Sequence, residues 1–427
     1  MDRDPSTILL DRPGLGSGTS KASLAEIYMS TTEKYSAMKQ CLVLVRSTLS
    51  FSVDGLRKGE RGGTGVIVYS DVSITLVLVA RTVVPSDACQ VRVTTGDNTA
   101  DAKIKMEHPS KPIAVIEYPT SSNSSTKVRT AQFQTRRIYE GEPLFFMGYG
   151  RGGALIADET NASQTSTITF RISAPPSYRP FNIDAFTISP SFEEQCTTGI
   201  LFGADGSVCA LSLKIDNNFF AFPASSFSSL VKSMQAGEMP QLRPPLAELE
   251  MTHGDDEKRL DGLASIKVRS TFPWYSGFRQ NDTLLSVGFK PIYNLAALDP
   301  DKLWSHELEQ RVKIIRGKDE MAVDISAMER EIETGEITQF RGATFQKPHL
   351  AVRLQGRPIP SDIYVSHIDE KSPARSSKLM EGCFITSVNG QPLVKYEVFQ
   401  QAIMQIQHNE GTCVFVLSLL KSSVDHL

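Results

Sequence analysis

Histidine and tryptophan are scarce in this chain, at seven and two of 427 residues. Few imidazoles leave few candidates for a proton acceptor near neutral pH. CxxC pairs are absent: Cys41, Cys89, Cys196, Cys209, Cys383 and Cys413 are scattered, several inside apolar runs, as small buried hydrophobes of a reducing compartment would be. Neither HExxH nor a carboxylate cluster marks a metal site, and the acidic run Asp255, Asp256 and Glu257 reads as a solvated turn. No cofactor is implied. No apolar run approaches the ~20 residues that span a bilayer. The opening MDRDPSTILLDRPGLGSGTSKAS lacks the apolar stretch of a signal peptide, and residues 1–30 read as a flexible tail. The net charge of -3 gives no general pull toward nucleic acid or anionic lipid, and no local basic patch stands out in the sequence. These absences predict a soluble intracellular protein, nuclear or cytoplasmic, with neither nucleic acid nor membrane as partner.

What is present is a long series of β-rich runs. From Tyr35 to about Met234, QCLVLVRSTLSFSV, TGVIVYS, ITLVLVA, CQVRVTTGD, PIAVIEY, EPLFFMGYG, TSTITFRIS, TGILFGADGSVCALSL and NFFAFPA alternate with turn clusters. Short strands at this spacing predict a sandwich or a pair of antiparallel barrels. TGVIVYSDVSITLVLVARTVV, residues 64–84, reads as a hairpin of two buried strands turning at Ser70 to Ser73. Only SSFSSLVKSM has helical periodicity, with Ser225 or Ser226 as candidate caps.

A Pro- and Gly-rich break at QAGEMPQLRPP ends this part. Two segments of similar length follow and share one order of parts, a degenerate internal repeat. The first runs ASIKVRS, FRQNDTLLSVGFKPI, helix-like NLAALDPDKLWSHELE, then QRVKIIRG. The second runs SDIYVSHI, LMEGCFITSVNGQPL, helix YEVFQQAIMQIQ, then TCVFVLSLL. Charged DEMAVDISAMEREIETGEI between them reads as a partly helical connector.

The stretch from Gly382 to Pro392, with the preceding Ser372-Pro373-Ala374, resembles the PDZ domains of HtrA-type proteases; the first segment resembles them more loosely. Upstream, GGTGVIV, the VVP after Thr82, EHPSKPIAVIEY, GEPLFFMGYG and TGILFGADGSVCAL together resemble an HtrA/Deg serine protease domain. The likeness extends to large tandem HtrA-like proteases of fungi and plants, of nuclear type, whose second protease domain is degenerate and followed by PDZ-like domains. It covers nearly all of Tyr35 to Leu420. The fold class it implies is mainly β: a degenerate trypsin-like double β-barrel over 31–236, then PDZ-like α+β domains over 241–330 and 338–422.

Carried over position by position, the resemblance puts the family's histidine at Thr82, its aspartate at Pro112 and its nucleophile at Thr198. A serine-type hydroxyl attacks only when an adjacent imidazole takes its proton and a carboxylate orients that imidazole. Losing the triad costs about a million-fold in turnover in a worked protease. Cys196 stands where a glycine of the oxyanion loop is expected, and Cys196 with His108 is the one thiol and imidazole pair that the implied fold could bring near the cleft. The catalytic set is therefore degenerate, and binding is the expected function.

In a PDZ domain an extended peptide, often a C-terminal tail, adds as a strand beneath a carboxylate-binding loop. The resemblance puts that loop at Arg341, Gly342, Ala343, Thr344 and Phe345, with Tyr396, Phe399 and Ile403 facing the groove at helical spacing or, equally, packed in a core. The reading is a pseudoprotease scaffold that binds proteins or peptides, with an oligomer or larger assembly left open as its setting. Its rivals are an active serine endopeptidase and a structural subunit using its barrel faces.

Overall fold

A computed structural model describes residues 31–120, 128–168, 170, 176–188, 196–215, 218–239, 242, 246–252, 265–272, 277–288, 290–292, 295, 310–325, 336–355, 358–393, 395–408 and 415–419. The chain is mainly β. After a helix at Thr31–Gln40, six antiparallel strands close a barrel: β1 (Leu42–Leu49), β2 (Gly59–Ser70), β3 (Ile74–Ala80), β4 (Gln90–Thr95), β5 (Asn98–Glu107) and β6 (Ile113–Pro119), in the order β1-β2-β3-β6-β5-β4. The predicted hairpin is β2–β3. Asp71 fixes its turn by accepting from the backbone N–H groups of Ser73 (2.7 Å) and Ile74 (2.8 Å). β3 is buried almost throughout because Val, Leu and Ile face the barrel interior on one side and neighbouring elements on the other.

The second sheet has seven strands and forms a half-barrel. These are β7 (Pro143–Tyr149), β8 (Leu155–Asn161), β9 (Ser166–Thr167), β10 (Asp184–Ile188), β11 (Thr198–Phe202), β12 (Val208–Ile215) and β13 (Asn218–Pro223). A 3-10 turn at Ala224–Phe227 runs into the helix Ser228–Gln235, whose Leu230, Val231 and Met234 are buried. Neither Ser225 nor Ser226 caps it: the helix starts after Phe227, with no side-chain cap.

Two further sheets carry the repeat. The third contains β14 (Ala247–Thr252), β15 (Ser265–Thr271), β16 (Thr283–Val287), β17 (Lys290–Pro291), β18 (Gln310–Arg316) and β19 (Asp319–Ile325). The fourth contains β20 (Ile337–Phe340), β21 (Ala343–Gln346), β22 (Tyr364–Ile368), β23 (Cys383–Val388), β24 (Gln391–Pro392) and β25 (Phe415–Leu419). The two aligned phrases form the same object in each. β16 pairs with β15, β17 and β18, and β23 pairs with β22, β24 and β25. Each breaks register at the same place, Leu284/Ser286 and Ile385/Ser387. Each then turns through a left-handed residue at matching positions, Gly288 (φ 56°) and Asn389 (φ 50°), suited to Gly and Asn. The expected helical connector begins instead as strand β19, zipped to β18 over seven residue pairs. Its residues 326–335, the helix-like NLAALDPDKLWSHELE beyond Leu295, and Asp255, Asp256 and Glu257 lie outside the described residues.

Both later sheets are tied to one strip of the barrel pair. Asn182 donates from Nδ2 to the Ala247 carbonyl (2.8 Å) and accepts from the Leu249 N–H (2.6 Å), closing the start of β14 onto the strip. Arg179 meets Glu248 through two parallel bonds of 3.0 and 2.6 Å, the bidentate geometry that guanidinium and carboxylate favour. On the other side His349 Nε2 meets the Pro176 carbonyl at 3.0 Å. Gln346 donates to Asp54 Oδ1 (2.6 Å) and accepts from the Asp54 N–H (3.0 Å). Burial holds the His349 pKa below its ordinary value, which keeps the ring a neutral donor at this joint.

Glu248 is buried, so Arg179→Ala strands a carboxylate whose remaining cation, Arg269, stands at 3.5 Å. That substitution should cost about 3 kcal/mol and lower Tm, while Arg179→Ala with Glu248→Gln costs less. Thermal unfolding of the two variants checks this; equal Tm values for wild type and the single variant would count against a structural role for the pair.

Candidate functional site

The cleft between the closed barrel and the half-barrel is where the sequence places the old catalytic positions. Thr82 sits just beyond β3 and is exposed. Its neighbour Arg81 donates its N–H to the Pro112 carbonyl (3.0 Å), which brings the second position alongside the first. Pro112 is buried and offers no acidic side chain.

At the third position the structure differs from the sequence reading. Thr198 opens β11 fully buried and points between the sheets: its Oγ1 accepts from the Thr64 N–H at 2.9 Å. Thr64 Oγ1 in turn accepts from the Tyr149 N–H (2.7 Å) and donates to the Thr198 carbonyl (3.3 Å). The threonine on the cleft wall with Thr82 is Thr197, one residue earlier. Strand alternation is the reason, since consecutive side chains point to opposite faces and a one-residue shift exchanges solvent for core. The local glycines fit this packing. A Cβ on Gly63 would stand 2.2 Å from Thr198 Oγ1, and one on Gly199 would stand 2.2 Å from the Phe146 ring. Close approach fixes both residues, and neither has a positive φ.

The cleft encloses about 890 Å³, and its described walls hold no histidine, cysteine or aspartate. His108 is buried behind it, with Nδ1 accepting from the N–H groups of Ser110 (3.2 Å) and Lys111 (2.9 Å), so the atom that would act as base is engaged by the backbone. Cys196 is buried too. Its thiol donates to the Thr198 carbonyl (2.9 Å), and burial pushes its pKa up to about 11, leaving negligible thiolate at neutral pH. The two do not form a nucleophile and base. Residues 193–195 of the oxyanion loop lie outside the described residues.

A feature invisible in the sequence lies beneath Thr82. Arg81 lies over the Tyr178 ring (3.8 Å), donates to the His108 carbonyl (2.9 Å) and pairs with Glu107 at 2.6 Å. Burial raises the Glu107 pKa to about 7 against the pull of Arg81, so desolvation outweighs the ion pair.

The fourth sheet places the other candidates. Arg341 (φ 50°) and Gly342 (φ 84°) make the turn of the β20–β21 hairpin. Their carbonyls accept from Ala374 N–H (3.2 Å) and Asp369 N–H (2.8 Å), and a Cβ on Gly342 would meet Ser372 Cβ at 2.2 Å. Ala343, Thr344 and Phe345 form β21 and are buried. Tyr396, Phe399 and Ile403 are fully buried and line no open groove: they pack with Phe345, whose ring centroid is 5.0 Å from that of Phe399. The apolar stripe of the helix Tyr396–His408 thus faces the core, as large apolar side chains do when a sheet offers them cover. β21 has no free edge, being paired with β22 on one side and β20 on the other. β20 lies between β21 and the helix: Tyr396 Oη donates to the Phe345 carbonyl (2.8 Å) and is 3.0 Å from Thr338 Oγ1, and Gln407 reaches the Gln339 carbonyl at 3.4 Å. Sequence periodicity finds the helix and the strand; it carries no signal that the chain supplies its own third strand between them.

A closed barrel beside a half-barrel, with a cleft at their junction, is the trypsin-like double-barrel class. No family model matches the chain. Among curated proteins it is similar to the pro-apoptotic serine protease nma111 of Aspergillus niger (strain ATCC MYA-4892 / CBS 513.88 / FGSC A1513), 28% identical over 403 residues covering 86% of this chain and 39% of that protein. It is likewise similar to NMA111 of Pyricularia oryzae (strain 70-15 / ATCC MYA-4617 / FGSC 8958), 27% identical over 424 residues covering 91% of this chain and 41% of that protein. The chain spans about two fifths of the length of these relatives. Solved structures that overlap it include the HtrA-type protease AlgW with tripeptide, at 14% identity and TM-score 0.48 over 69% of this chain and 96% of that one. The Rv3671c protease from M. tuberculosis, active form, gives 17% identity and TM-score 0.39 over 56% of this chain and 98% of that one. The sequence matches are thus to proteins named as pro-apoptotic serine proteases. Among the described residues no helix is long and apolar enough to cross a membrane.

Two predictions follow from the packing. Thr198→Val leaves the buried Thr64 N–H without its acceptor and should lower stability by about 1–3 kcal/mol, whereas Thr198→Ser keeps the bond and loses only a methyl, about 1 kcal/mol. Equal chemical-denaturation midpoints for the two variants would show that the bond contributes nothing. For Glu107, the folded pKa of about 7 exceeds the ordinary 4.5, so the folded state binds more protons between these values. Stability contributed by the protonated form is full below about pH 4.5 and is lost as pH rises through about 7. The Tm advantage of Glu107→Gln over wild type should therefore grow from pH 5 to pH 8, and an advantage constant across that range would contradict it.

Proposed function

We propose that this chain is a noncatalytic HtrA-like pseudoprotease that serves as a protein-binding scaffold or complex subunit. The observation carrying the reading is the composition of the cleft: Thr82 and Thr197 face it, Thr198 is spent as a hydrogen-bond acceptor inside the protein, and neither a histidine nor an aspartate stands in its described walls. An alcohol without a nearby base is a negligible nucleophile at neutral pH, so the protease named for the relatives does not carry over to this segment on the strength of its fold. In this reading residues 31–236 are the pseudoprotease domain, and 241–330 and 338–422 are PDZ-like domains. The setting is intracellular, nuclear or cytoplasmic, and no cofactor takes part.

The position of β20 favours one form of the scaffold over another. Strand addition needs an unpaired edge on β21. The chain's own Ile337–Phe340 holds that edge, so a C-terminal tail would have to displace it from both β21 and the helix. Support therefore leans to the subunit reading, with outer surfaces making the contacts and Arg341 to Phe345 serving as a folded hairpin.

The test is incubation of the purified chain with casein and a fluorophosphonate probe. No hydrolysis and no labelling are expected. Labelling that disappears in Thr197→Ala or Thr198→Ala would overturn the noncatalytic reading.

A further inference from the structure

The cleft that has no catalytic residues has a charge of its own. Arg46 on β1, Arg61 on β2, Arg92 on β4, Arg151 beyond β7 and Lys214 on β12 all line it, and among its described walls Glu60 is the one carboxylate. No short run of sequence contains this cluster. It is assembled from strands of both barrels, and its sign is opposite to the net charge of -3. Its four arginines are poorly neutralised. Arg46 and Arg151 are exposed and form no ion pair with a described carboxylate. Arg61 donates to the carbonyls of Gly59 (3.4 Å) and Arg57 (2.8 Å), neither of which cancels its charge. Arg92 meets Asp101 only at 3.9 Å on an exposed surface, where such pairs contribute little.

We propose that this cleft is a receptor for an acidic, extended peptide segment. Guanidinium groups bind carboxylates in planar, bidentate fashion, and a concave wall of one sign concentrates ligands of the other. A volume of about 890 Å³ accommodates several residues, and the backbone at Gly62 and Gly150 leaves room for a main chain to approach. A single nucleic-acid strand fits less well, because no aromatic ring stands in the described walls of the cleft for bases to stack on. The site is independent of the fourth sheet and of whether β20 can be displaced.

The experiment is fluorescence anisotropy of the whole chain with labelled octaglutamate at low salt, beside octaglutamine and oligothymidylate. Octaglutamate should bind, weaken as salt rises, and lose affinity about tenfold in Arg46→Glu/Arg151→Glu. Both positions are exposed, so Tm should hold; Arg92→Glu provides a second, single-site reduction, and Arg311→Glu on β18 is a control expected to bind normally. Octaglutamate binding no better than octaglutamine, or binding unchanged in the cleft variants, would overturn the proposal. Tighter binding of oligothymidylate, lost in the same variants, would overturn it in favour of a nucleic-acid site. None of these outcomes bears on hydrolysis, which the fluorophosphonate probe reads separately.

Discussion

The reciprocal bonding of Thr64 with Thr198 holds the two halves of the barrel pair in register. One hydroxyl accepts a backbone N–H across the junction, the other returns a proton to the carbonyl of the same partner, and a third bond reaches Tyr149. Buried polar groups are costly unless paired, so this set tolerates little movement of β2 against β11. Gly63 belongs to the same constraint, because any side chain there would occupy the space of the Thr198 hydroxyl. The Thr198 hydroxyl is thus committed to bonding inside the protein, between β2 and β11.

From that junction the rest of the chain is anchored outward. The strip from Pro176 to Asn182 touches both later sheets, one through Arg179 and Asn182, the other through the Pro176 carbonyl. Three sheets therefore share one narrow segment as their common support. The His349, Gln346 and Asp54 set places the β21 end of the fourth sheet against the barrel, in the same hairpin whose other strand closes the groove. Packing accompanies the polar pairing here: beside the bonded groups of the joints lie buried aromatic rings, as Phe181 against Phe272.

The cleft and the groove follow different routes to the same outcome. In the cleft the described walls carry Thr82 and Thr197 without a histidine or an aspartate, and the concave surface collects positive charge. In the fourth sheet the side chains that could have lined a groove are drawn into the core by their own hydrophobicity, and a strand from the same chain covers what remains. Fold is kept in both places because it rests on burial and backbone pairing, which do not depend on catalytic groups.

Much of the architecture was legible in the sequence. The hairpin TGVIVYSDVSITLVLV declares itself by apolar runs around a polar turn, and the repeat by two phrases that share a strand, a bulge and a left-handed turn. That positions 82 and 112 hold threonine and proline, with neither a base nor an acid, is likewise a matter of residue identity. Which of Thr197 and Thr198 faces the cleft was decided only by tertiary structure, since strand alternation has period two and the register comes from pairing with β12 and β7. The filling of the groove by Ile337–Phe340, the pairing of Arg81 with Glu107 and the gathering of five cations on one wall were decided the same way. Each joins residues distant along the chain, and a sequence fixes local preference and burial, whereas contacts between distant segments exist only once the sheets have closed.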